Sequence, residues 1–132
     1  MNPAQSSSDP ISGVLLSRDL MFTVKITGTA KELGHRVQVA GNAELASGFI
    51  REHRPKAVFV DLAAGPLVAP ETLKELLAIA GPGVPFIAFG SHVDAAALAA
   101  ARAAGCDPVM PRSKFTMELP DLIRRYLGEG GS

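Results

Sequence analysis

Cysteine is nearly absent from this chain of 132 residues, which carries only Cys106. A single thiol excludes an internal disulfide and leaves no basis for a cysteine-ligated metal site. It fits a reducing compartment, so a cytoplasmic protein is expected. Tryptophan is missing, tyrosine occurs once, and the thirteen basic and thirteen acidic residues cancel. With no net field to attract a polyanion, neither nucleic acid nor an anionic membrane is an expected partner. No apolar run approaches the roughly 18–20 residues that span a bilayer. The histidines, His35, His53 and His92, are scattered without metal-ligand spacing. Dinucleotide-binding glycine signatures, P-loops and nucleophile elbows are also missing. Gly81-Pro82-Gly83 precedes a strand rather than following one, so it cannot serve as a phosphate-cradling turn. The phrase Leu33-Gly34-His35-Arg36-Val37 follows a Ser17-Arg18-Asp19-Leu20 turn that has no glycine, which rules against a bound pyrophosphate.

What is present is an alternation of short apolar runs and amphipathic segments. Gly13–Leu16 reads as a buried strand, stopped by Ser17-Arg18-Asp19, and Asp19 is placed to cap a following helix. In that helix Phe22, Ile26, Ala30 and Leu33 recur at helical spacing, and Gly34 ends it. An outer strand is expected over Arg36–Ala40, then a helix over Ala43–His53 with Leu45, Phe49 and Ile50 facing inward. Ala57–Leu62 is a continuous apolar run, read as a fully buried strand, with the carboxylate Asp61 near its end. A helix over Glu71–Ala80, a strand over Val84–Phe89 and an alanine-rich helix over Asp94–Ala104 follow. Pro108–Met110 reads as a fifth strand, and Phe115–Leu127 as the last helix, with Pro120 in or just after its first turn.

Five βα units with short connections imply an α/β fold: a five-stranded parallel sheet, order 2-1-3-4-5, covered on both faces by helices, as in flavodoxin-like proteins. Its expected extent is 13–127, with a disordered lead-in at 1–12 and a flexible tail at 128–132. The lead-in lacks the basic start and apolar core of a signal peptide. Ligands gather at the carboxyl ends of strands in such sheets, so Asp61 is the first candidate for function.

Three segments carry a family resemblance: the strand ending in Asp61, the strand Val84-Pro85-Phe86-Ile87-Ala88-Phe89, and the run Ala103-Ala104-Gly105-Cys106-Asp107. In their order and spacing the chain resembles a response-regulator receiver domain. That resemblance implies a phosphorylation site of five positions: two acids after strand one, an acceptor Asp after strand three, a hydroxyl after strand four and a Lys after strand five. The acids and the acceptor would hold Mg²⁺, and the hydroxyl and Lys would bind the phosphoryl oxygens. Asp61 matches the acceptor. The acid pair falls on Ser17 and Arg18, with Asp19 one residue beyond. The hydroxyl position falls on Gly90, with Ser91 beside it, and the Lys position on Arg112. The switch aromatic of strand five corresponds to Val109.

One position matches, one keeps its charge and three are lost, so the resemblance is to a degenerate receiver. It implies no catalytic residue, no enzyme activity, no cofactor and no bound Mg²⁺. Arg18 falls where metal ligands belong, and an Arg18–Asp61 pair joined by Arg112 is expected to stand in for the metal. The function implied is a stand-alone, phosphorylation-independent interaction module of two-component signalling. Its protein partner, or a second copy of the chain in a homodimer, would dock on the fourth helix, fifth strand and fifth helix (about Asp94 to Leu127). Two alternatives stay open. In one, a histidine kinase partner still phosphorylates Asp61, with Asp19 and Ser91 as late substitutes. In the other, the chain is a flavodoxin-like small-ligand binder. Cys106 is expected to be a buried small apolar residue.

Overall fold

A computed structural model describes residues 10–128. Its five parallel strands are β1 (Gly13–Leu16), β2 (Val37–Ala40), β3 (Ala57–Asp61), β4 (Phe86–Gly90) and β5 (Val109–Pro111), in the order β2-β1-β3-β4-β5. The expected sheet order is the observed one. The helices are α1 (Leu20–Glu32), α2 (Ala43–His53), α3 (Pro70–Ala80), α4 (Ala95–Ala104), α5 (Arg112–Met117) and α6 (Leu119–Leu127). A 3-10 turn, Gly65–Val68, precedes α3. Among the described residues no helix is long and apolar enough to cross a membrane.

Strand alternation divides the core into two layers. Val14, Leu16, Val58, Val60, Phe86 and Ala88 meet Ile50, Leu73, Leu76 and Ala101 on one face. Leu15, Phe59, Ile87, Phe89 and Met110 meet Ile26, Ala30, Phe115 and Ile123 on the other. Every residue of β3 is buried, and β1 and β4 hydrogen-bond to its two sides. Each fully buried Leu, Ile or Phe here contributes about 1.5–3 kcal/mol by leaving water. At the turn after α4, Gly105 has φ +120, and a Cβ there would lie 3.0 Å from a Leu77 methyl. The positive φ requires glycine at that corner, and the Leu77 side chain of α3 packs against it.

Three expectations need correction. Leu45 does not face inward but is exposed; Ala46 and Ile50 form the buried face of α2. The last helix is two helices, broken at Glu118. Pro120 has no N–H for the carbonyl four residues earlier, so α5 ends at Met117 and α6 starts afresh with the proline in its first turn. Ordered backbone begins before residue 13: Ile11 is buried, and Ser12 bonds to Arg36 and Lys56 at 2.9 and 2.7 Å. The rest of the expected lead-in, residues 1–9, and the tail residues 129–132 lie outside the described residues.

Candidate functional site

Three side chains converge at the carboxyl ends of β1, β3 and β5. Ser17 and Asp61 lie two residues beyond Leu15 and Phe59, and Arg112 two beyond Met110, so alternation turns all three toward the α1 side of the sheet. Asp61 is 1% exposed. A buried carboxylate must be neutralised and hydrogen-bonded, and this one is. Ser17 donates its hydroxyl to Oδ2 at 2.9 Å. The Ala63 N–H and one Arg112 guanidinium nitrogen each donate to Oδ1 at 3.0 Å. Arg112, at 35% exposure, has its guanidinium carbon 5.1 Å from the centre of the Phe22 ring, a cation–π contact.

Arg18 does not take the place expected for it. Chain alternation directs it opposite to Ser17, where it is exposed and makes no ion pair among the described residues. The neutralising cation is Arg112 alone. Asp19 is also committed elsewhere: it is the N-cap of α1, its Oδ1 accepting from the Phe22 N–H at 3.0 Å. Ser17 links the two, because its Oγ accepts from the Asp19 N–H at 3.2 Å.

Gly90 ends β4 on the other side of the sheet. A Cβ at this position would lie 3.1 Å from the Leu62 Cβ, 3.2 Å from a Leu62 methyl and 3.6 Å from a Leu98 methyl. Leu62 and Leu98 therefore crowd the place expected of a phosphoryl-binding hydroxyl. Ser91 is exposed, with its Oγ accepting from the Val93 N–H at 3.3 Å, the bond of a local serine turn. Val109 is half-buried where β5 begins, paired with Ala88. His92 is exposed, and Cys106 is buried, its thiol pushed up to about 11 by desolvation.

Sequence reasoning placed Ser17, Asp61 and Arg112 at these strand ends but missed Phe22 and Leu62 as parts of the site. Phe22 was legible as an apolar helix position, and Leu62 as the residue next to Asp61. Neither residue type signals its role here.

A magnesium ion is the group that receiver sites imply, and it demands an oxygen-rich octahedral shell. The donors present do not fit one. Among the described residues Asp61 is the one carboxylate at this centre, with Arg112 on one oxygen and Ser17 on the other, while Asp19 caps a helix. No group of three or more His, Cys, Asp or Glu able to hold a metal occurs among the described residues.

Five parallel strands in the order β2-β1-β3-β4-β5 with helices around them make the fold seen in receiver domains. No family profile and no curated protein matches the chain. Solved structures do. A CheY-like response regulator receiver domain protein from Methanospirillum hungatei superposes with a TM-score of 0.75 at 15% identity, over 90% of this chain and 94% of that one. The receiver domain of a sensor histidine kinase from Pseudomonas aeruginosa, solved with magnesium coordinated in its active-site cleft, gives 0.72 at 18% identity over 90% and 98%. The receiver domain of a Saccharomyces cerevisiae response regulator, solved in a co-crystal with a histidine phosphotransfer protein, gives 0.73 at 14% over 89% and 88%. These likenesses establish the receiver fold; function rests on this chain's own residues.

Proposed function

We propose that this chain is a degenerate receiver of two-component signalling: a cytoplasmic module, not an enzyme, that works through protein contacts without phosphorylation of Asp61. The occupancy of the carboxylate carries this reading. Both Asp61 oxygens accept hydrogen bonds, one of them from a guanidinium, and among the described residues no group of carboxylates able to gather a metal stands beside them. Phosphoryl transfer to a carboxylate needs that metal, because two anions otherwise approach with little compensation. The Arg112–Asp61 pair stands in its place and favours one conformation.

The proposed docking surface is α4, β5 and the helix that follows. Ala95, Ala96, Ala99 and Ala103 are exposed on α4, and Val93 just before it is 77% exposed. Short side chains lose little conformational entropy on contact, which suits a flat protein partner or a second copy of the chain. Incubation with a small-molecule phosphodonor and Mg²⁺, followed by intact mass, tests the reading. The expected spectrum contains only unmodified protein. A phosphoryl adduct lost in Asp61→Asn would return Asp61 to the role of acceptor.

A further inference from the structure

We infer that the Asp61 carboxylate controls the first turn of α1, and with it an exposed apolar face, rather than α4. The inference rests on where the bonds run and holds whether or not Asp61 accepts a phosphoryl group. Besides the local bond from the Ala63 N–H, two polar routes leave the carboxylate, and both end on residues 19–23. In the first, Ser17 donates to Asp61 and accepts from the Asp19 N–H. Asp19 then caps α1, its side chain accepting from the Phe22 N–H at 3.0 Å and its carbonyl from the Thr23 N–H at 2.9 Å. In the second, Arg112 is held between Asp61 and the face of Phe22, whose ring meets those of Phe89 and Phe115 at 5.2 and 6.1 Å.

The α4 side has no such wiring. Its start is a separate local unit: Asp94 accepts from the Ala97 N–H at 3.0 Å, and Ser91 accepts from the Asp94 and Val93 amides. None of these groups bonds to Asp61. What joins β3 to α4 is apolar, Leu62 and Leu98 closing around Gly90. Apolar packing is indifferent to the charge on a carboxylate, whereas charge-assisted hydrogen bonds respond to it directly.

The first turn of α1 is also the place where such control has an effect. It holds no acidic residue, so its unsatisfied amides depend on the Asp19 cap. It displays Leu20, Met21 and Val24 at 77%, 84% and 61% exposure. Neutralising Asp61 frees the Ser17 hydroxyl to turn and releases Arg112 from above Phe22. The cap then loosens, and the apolar turn loses its fixed shape. Ser17 and Phe22 are positioning residues in this arrangement.

Residue-resolved hydrogen exchange tests it, comparing the amides of Asp19, Phe22 and Thr23 with those of Asp94, Ala97 and Leu98. In Asp61→Asn the α1 set should exchange about tenfold faster while the α4 set stays within about twofold, the size expected for losing a charge-assisted hydrogen bond at one cap. Ser17→Ala, which cuts one route and leaves the ion pair, should give the same contrast at smaller size. Phe22→Leu keeps the core filled and should shift the Ala63 amide and the Arg112 guanidinium resonances, since coupling acts in both directions. Equal acceleration of both sets, or a response confined to the α4 set, overturns the inference.

Discussion

At the scale of single residues, Arg112 and Arg18 make opposite contributions despite identical chemistry. Arg112→Ala leaves a carboxylate at 1% exposure without its cation. Because Arg112 is partly open to water, the loss should be about 2–3 kcal/mol, at the lower edge of what breaking a buried pair costs. Arg18→Ala should stay within about 0.5 kcal/mol, as for other exposed positions. Urea midpoints of the two variants check the pair. Cys106 supplies a second prediction. Burial raises its thiol from 9.0 to about 11, so the folded chain holds the proton where the unfolded chain releases it. That contribution is complete below pH 9 and is lost as pH rises toward 11, a total of about 2–3 kcal/mol. Denaturation of wild type and Cys106→Ala across this range should show a steeper loss in the wild type. Asp61 was legible in the sequence because it lies near the end of a continuous apolar run. Arg112, 51 residues away, was legible beside it, but its pairing with Asp61 without Arg18 was not, because only strand alternation separates Arg18 from the site.

Among the elements, β1 and α2 have the bounds their residues announce, Gly13–Leu16 and Ala43–His53. Both begin and end on strong local signals, with Asn42 capping α2 by accepting from the Leu45 N–H at 2.8 Å. The break at Glu118 was less legible, because the apolar spacing of Phe115, Leu119 and Leu122 continues across it while the proline interrupts only the backbone bonds. The meeting of β3 and β4 gives the prediction at this scale. A side chain at position 90 would press on Leu62 close to its backbone, which cannot swing aside as a chain end can. Gly90→Thr should therefore destabilise by about 1–3 kcal/mol through overpacking, measured by urea denaturation. A hydroxyl added at this position should not by itself make Asp61 accept a phosphoryl group. Gly90 is thus part of a packed corner between Leu62 and Leu98.

For the whole molecule, the receiver fold holds an internal ion pair, Asp61 with Arg112, at the carboxyl ends of its strands. A receiver whose carboxylates hold a cation should gain stability when the cation is supplied, by about 1.4 kcal/mol at ten times the dissociation constant. This chain should gain none: its melting temperature should be the same in millimolar Mg²⁺ and in a chelator. The sheet order was readable from the alternation of strands and helices because parallel crossovers have few solutions. Whether the centre is open or closed was not, since it depends on one guanidinium settling on Phe22. The most direct measurement follows the Asp61, Leu62 and Ala63 amides by NMR as Mg²⁺ is raised through the millimolar range. An Asp61 already held by Arg112 and Ser17 predicts resonances that do not move. A saturable shift, abolished in Asp61→Asn, would contradict the internal pair and reopen the site to phosphate.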